Sequence, residues 1–157
     1  MAAKPIPEGY HTLSTYLAVD DAAEAIDFYK RAFDAKETVR MDAPGGKIGH
    51  VELRIGDSTI MLSDPMPQST TKSPKSIGGT SFGLFMYSKD VDAQIEKAVE
   101  AGATVEMEPD DMFWGDRFGS IVDPFGHVWS IATHKVDLSP EEIAERGKAA
   151  MAQMASS

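Results

Sequence analysis

The chain is written twice. Residues 13–64 open with LSTYLAVDDAAEAIDFYKRAF and close with HVELRIGDSTIMLSD. Residues 81–134 open with SFGLFMYSKDVDAQIEKAVEAGA and close with FGSIVDPFGHVWSIATH. Each copy reads as a strand, a helix and then a run of strands. In each an Asp follows the first strand, Asp21 and Asp90, 69 residues apart, and the last strands align at the same offset, Met61 on Ser130. Few letters are shared, so the repeat lies in the pattern. A lone βαβββ unit leaves one sheet face bare. Two such units cover each other's edges and enclose one cleft, which is how repeated supersecondary units bury a common core.

The copies set the domain organisation. Residues 1–9 are an irregular lead-in rich in Pro and Gly. The first module, 10–64, is expected to hold a strand at 10–19 and a helix capped by Asp20 or Asp21 and running to Phe33. The helix has Ala25, Ile26, Phe28, Tyr29, Ala32 and Phe33 on one face. A strand at 36–41 follows, then a turn at Pro44-Gly45-Gly46. Residues 48–55 alternate His50, Glu52 and Arg54 against Val51, Leu53 and Ile55, the signature of a half-buried strand. Gly56-Asp57 turns the chain into a strand at 58–63. Residues 65–80 carry Pro, Ser, Thr and a Gly pair; they read as the linker and the segment freest to move. Such a linker lets the modules pair within one chain or exchange between two.

The second module, 81–137, repeats the order. Asp90 caps a helix from Val91 to Ala101, with Gly102 as its stop. A strand at 103–108, a loop or hairpin at 109–119 and strands at 119–122 and 127–133 follow. In the last segment, 138–157, Ser139, Pro140 and Glu142 mark the start of a C-terminal helix. Its Ile143, Ala150, Met151 and Met154 suit packing on the domain or on a partner.

Composition narrows the function. The 157 residues carry a formal charge of −10, with 42% hydrophobic and 25% charged side chains. That is a globular composition. Its sign repels phosphate backbones and excludes a nucleic-acid partner. No apolar run approaches the roughly 18–20 residues a membrane helix needs, so no membrane partner is expected and a cytoplasmic location is. The chain has no cysteine. Disulfides, thiolate catalysis and thiolate metal sites are thereby excluded.

The phrases VDDAAEAIDFYKRAF, GHVELRIGDSTIMLSD and FWGDRFGSIVDPFGHVWSIATH, in this order, resemble the vicinal oxygen chelate superfamily. That group includes glyoxalase I, extradiol dioxygenases and bleomycin-resistance proteins. Within it the sequence looks like the PhnB-like branch. The resemblance spans roughly residues 10–137. It implies an α+β fold, two βαβββ modules forming a cup-shaped mixed sheet, with a ligand or metal inside the cup. Metal-bearing members place a His, Glu or Gln on the first and last strand of each module. Counted from the capping Asp, those positions here are Ser14 and Gly83 on the first strands, and Met61 and Ser130 on the last. None is a good ligand for a divalent ion. The expectation is no metal and no cofactor.

The histidines build no replacement. His127 and His134 lie an odd number apart on one strand and face opposite sides. His11 precedes the first strand's core. His50 points inward with Glu52 but lacks the further convergent ligands a divalent site requires, so it reads as a hydrogen-bonded strand residue.

The densest chemical cluster is Phe113, Trp114, Asp116 and Arg117, which suits a flat or cationic ligand. It reads equally as a loop whose aromatics close the core and whose charges are solvated; the resemblance favours the cup rim. Asp123-Pro124-Phe125-Gly126 reads as a plain turn. The resulting expectation is a metal-free protein that binds a small aromatic or cationic molecule in the cup, drug sequestration being one version. Candidate contacts are Ser14, Tyr16, His50, Glu52, Met61, Phe113, Trp114, Asp116, Arg117 and Ser130. The alternatives are a divalent-metal lyase, isomerase or dioxygenase, and a partner-binding protein whose cup is self-filled. A homodimer is expected because each module leaves an edge strand to cover.

Overall fold

The structure is a computed structural model, and it describes residues 3–156. The first module runs β1 (Thr15–Ala18), α1 (Ala22–Phe33), β2 (Lys36–Ala43), β3 (Lys47–Ile55) and β4 (Ser58–Ser63). A one-turn helix α2 (Pro74–Ile77) interrupts the linker. The second module runs β5 (Gly83–Tyr87), α3 (Val91–Ala101), β6 (Thr104–Asp111), β7 (Asp116–Val122) and β8 (Val128–His134); α4 (Pro140–Ala155) closes the chain.

Each module folds into a four-stranded mixed sheet, in the orders β1-β4-β3-β2 and β5-β8-β7-β6. The 69-residue offset holds in the strand register. Thr15 pairs with Ile60 and Tyr16 with Met61 on the parallel strands β1 and β4; Leu84 pairs with Trp129 and Phe85 with Ser130 on β5 and β8. The helices start at the same offset. Asp21 accepts from the Glu24 N–H and Asp90 from the Ala93 N–H, each closing an orphan donor of the first turn. The hairpins differ. Ile55 pairs with Ser58 across a two-residue turn, whereas Val122 pairs with Val128 across residues 123–127.

One face of each sheet packs on the module's helix. Leu17, Val51, Leu53 and Leu62 sit with Ile26, Phe28 and Tyr29 in one cluster that continues through Ile95, Ile121, Trp129 and Ile131 of the second module. The modules are joined through that cluster. α1 lies on α3, the Gln94 amide donates to the Ala32 carbonyl at 2.6 Å, and the Phe33 and Trp129 rings stand 4.5 Å apart.

Two expectations change, and of the two readings of 109–119 the hairpin holds. The first strand is Thr15–Ala18 rather than 10–19, because residues 10–14 leave the sheet edge and fold over its inner face. The segment 109–119 is a hairpin, with β6 reaching Asp111 and β7 starting at Asp116. The DPFG turn is more than a turn. Asp123 is buried, and its carboxylate accepts from Tyr29 Oη at 2.6 Å, from Trp129 Nε1 at 2.9 Å and from the N–H groups of Phe125 and His127 at 2.9 Å. The linker is fastened to the same turn: Gly126 has φ +91°, and a Cβ there would meet Pro74 Cβ at 2.7 Å.

Asp123→Ala would leave these donors buried and unpaired. The expected loss is about 3–5 kcal/mol of unfolding free energy, with Asp123→Asn losing less. Urea unfolding followed by tryptophan fluorescence measures both.

Candidate functional site

The sheet faces turned away from the helices carry the candidate chemistry, and the two differ. Strand alternation and register bring Tyr16, Met61, Glu52 and His50 side by side on the first. Carried into the second module, the same register positions are Phe85, Ser130, Ser120 and Phe118. The first half carries Tyr16, His50 and Glu52 where the second carries Phe85, Phe118 and Ser120.

On the polar half, Glu52 is buried on β3. Its carboxylate accepts from the Tyr10 hydroxyl and lies 3.3 Å from His50 Nε2; His50 Nδ1 lies 3.1 Å from the Tyr16 hydroxyl. The hydrogen bond to Glu52 holds the Tyr10 phenol above its ordinary pKa. The lead-in roofs this cluster, tied down by an Arg54 guanidinium hydrogen bond to the Gly9 carbonyl. Beneath it is a cavity of about 480 Å³ lined by Ile6, Pro7, Tyr10, Ser14, Glu52 and Met61.

On the aromatic half, rings run in contact from Tyr87 through Phe85, Phe118 and Trp114 to Phe113, with successive centroids 5.0–5.9 Å apart. Asp116 is buried below them. It accepts from Tyr87 Oη and Trp114 Nε1, both at 3.2 Å, and from His134 Nδ1 at 2.7 Å. His134 Nε2 reaches Asp137 at 2.9 Å. Held between two carboxylates, first by Asp137 and then by Asp116, the imidazole is raised above its ordinary pKa. Burial, then the Asp116 charge, raises the Tyr87 phenol. α4 crosses the far end of this face, where Gly147 lets the helix approach the Phe113 ring; a Cβ there would stand 3.1 Å from it.

A cleft of about 910 Å³ between β1 and β5 joins the halves; Ser14, Phe85 and Tyr87 line it, and Ser14 also borders the cavity under the lead-in. The structure thus gathers Ser14, Tyr16, His50, Glu52 and Met61 on one half and Phe113, Trp114, Asp116 and Ser130 on the other. Arg117 is elsewhere. Its neighbour Asp116 faces inward, so Arg117 faces the helix side, where it forms a two-pronged pair with Asp92 of α3 at 2.7 and 2.8 Å. That pair raises the guanidinium and lowers the Asp92 carboxyl from their usual ranges. Tyr10, Tyr87 and His134 belong to the site although the residue pattern alone did not assign them to it. Alternation with Ser130 and with Phe85 is a usable signal for His134 and Tyr87; Tyr10 has none, since its place depends on the lead-in folding back.

The residues do not fit a divalent ion at the strand positions. Ser14, Met61, Gly83 and Ser130 offer no imidazole or carboxylate, and among the described residues no group of three or more His, Asp and Glu is placed to hold a metal ion.

Residues 10–131 match the model of the Glyoxalase/Bleomycin resistance protein/Dioxygenase superfamily. The chain belongs to this superfamily. An uncharacterized protein of Mycobacterium tuberculosis is 46% identical over 134 residues, covering 83% of this chain and 79% of that one. Among solved structures, a gene product from Arabidopsis thaliana superposes with a TM-score of 0.65 at 28% identity, covering 78% of this chain and 98% of its own. The crystal structure of TioX from Micromonospora sp. ML1 superposes with a TM-score of 0.63 at 25% identity, covering 79% and 98%. α4 lies beyond the stretch that the family model matches. Among the described residues no helix is long and apolar enough to cross a membrane.

His134 gives a pH test. Its pKa is raised on folding, so the stabilisation is fully present below the unfolded value of about 6.5 and is lost as pH rises through the folded value. The melting temperature is expected to fall as pH is raised from about 6 towards 8, and His134→Gln to flatten that dependence. Scanning calorimetry across this range checks it.

Proposed function

We propose that the protein is a cytoplasmic, metal-free member of the PhnB-like branch that binds a small organic molecule on the inner faces of its sheets. The supporting observation is the asymmetry between those faces. One offers hydrogen-bonding groups around Tyr16, His50 and Glu52. The other offers a run of rings in mostly edge-to-face contact, a rigid apolar surface for a flat ligand. Phe85 and Tyr87 are 54% and 63% exposed, so the platform is open to a ligand. The formal charge of −10 adds a preference for cations. Sequestration of a bleomycin-type drug is the concrete version.

A homodimer completes the cup. β1 and β5 are sheet edges that a second copy covers.

Protein purified without chelator is expected to carry Zn, Ni, Mn and Fe far below one ion per chain by elemental analysis. Light scattering is expected to give about 34 kDa, twice the chain mass of 17.0 kDa. Bleomycin is expected to quench tryptophan fluorescence in a saturable titration. Trp114→Phe should abolish the change, because Trp129 is buried in the core. One bound metal per chain, or no response to bleomycin, defeats the corresponding part.

A further inference from the structure

α4 belongs to neither copy of the repeat, yet its place on the second module is fixed by specific contacts. The segment leading to it is strapped to the turn before β7: the Lys135 and Val136 N–H groups both donate to the Gly115 carbonyl at 3.0 Å. The helix then starts on a capping box, Ser139 with Glu142. Further along, Gly147 stands against the Phe113 ring, where a Cβ would meet Cε2 at 3.1 Å. Glycine is the residue a helix interior tolerates worst after proline, so its use here marks a close approach. Gly147, Ala150, Met151 and Met154 follow the spacing of one helical face. That face turns towards the rings of the second module, but no α4 residue is buried, and Met151 and Met154 are 69% and 79% exposed. The first half of the helix is pinned, and the second half stands off.

Between that second half and the sheet lies a cavity of about 940 Å³, with Phe113, Trp114 and Phe118 on one side and Met151 and Met154 on the other. It shares no lining residue with the cleft between β1 and β5. We propose that this cavity is a binding site for an uncharged, ring-based, largely hydrocarbon molecule, held between the aromatic half of the second module and the methionine stripe of α4.

The lining sets the ligand class. Rings meet other rings edge to face or offset. Thioethers adapt to irregular apolar shapes and make favourable contacts with ring edges, and Met107 and Met112 add two more at the margin. The polar atoms nearby are engaged: Trp114 Nε1 donates to Asp116, and the Ser156 hydroxyl lies within hydrogen-bond distance of carbonyls of its own helix. Asp111, the one charged side chain of the lining, has Arg117 at 3.4 Å. A cation would compete with that guanidinium, and an anion would meet the carboxylate's repulsion, so an uncharged molecule fits best. Filling the gap takes Met151 and Met154 out of water, and burial of that apolar surface drives binding. The volume is that of a small-molecule site. The proposal rests on the reading that the aromatic half binds a small molecule, and adds α4 as the opposing wall.

The test titrates N-phenyl-1-naphthylamine, an uncharged dye that brightens in apolar surroundings, into the full chain. A saturable rise in emission is expected. Met151→Gln is expected to weaken dye binding about tenfold, the order for loss of one large apolar contact. Glutamine keeps the helix propensity of methionine, and Met151 is exposed, so the melting temperature is expected to stay unchanged. Gly147→Leu leaves the methionines in place but drives α4 off Phe113, and is expected to weaken binding by a similar factor. Glu145→Gln, on the opposite face of α4, is expected to leave it unchanged. Dye binding indifferent to either Met151→Gln or Gly147→Leu overturns the site under α4 and leaves the binding reading standing. No dye binding beside a positive bleomycin titration does the same. A dimer lost in Met151→Gln, with no dye bound to the unaltered chain, assigns the stripe to a second copy and overturns the proposal. Neither dye nor bleomycin bound defeats the binding reading itself.

Discussion

One buried carboxylate ties the two modules of this fold together. Asp123 accepts hydrogen bonds from a tyrosine of the first module, a tryptophan of the second and two backbone N–H groups of its own turn. Through Tyr29 it holds α1, and through Trp129 it holds β8, the strand beside the aromatic face. A buried polar centre is high-stakes: fully satisfied, it fixes one arrangement of its neighbours. Here it fixes how the modules dock, and so the spacing of the two inner faces across the cleft.

On that frame the repeat separates what the fold needs from what it does not. The backbone register is duplicated residue for residue on the parallel strands, and both copies contribute helix-side residues to one apolar cluster. The inner positions have diverged into hydrogen-bonding groups on one side and rings on the other. An internal repeat supplies its own control. A feature present in both copies belongs to the scaffold, and one present in a single copy needs another explanation. The buried Glu52 opposite Ser120 is the clearest case.

Much of this was legible in the residues. Alternation of His50, Glu52 and Arg54 against Val51 and Leu53 set the strand and its faces, because burial of one side imposes a period of two. The Asp caps and the 69-residue offset fixed both helices. The failures have physical causes. Arg117 was grouped with Asp116 as an adjacent charge, although neighbours on a strand point to opposite sides. Asp123 was read as turn chemistry, which its two backbone bonds satisfy; its side-chain partners are remote in sequence and carry no local signal. The strand at 10–19 was overextended because Tyr10 has a strand-like side chain, yet it leaves the edge to cover Glu52.

The shared core also decides how two copies of this chain would trade parts. Opening the linker would free one module only if Tyr29, Phe33, Phe125 and Trp129 were first pulled from their mutual contacts and Pro74 from its seat on Gly126. Hybrid assemblies made from two differently labelled populations would therefore form at the pace of global unfolding, and the linker's length would matter little to that pace. A protein built from two halves is in this respect kinetically one piece.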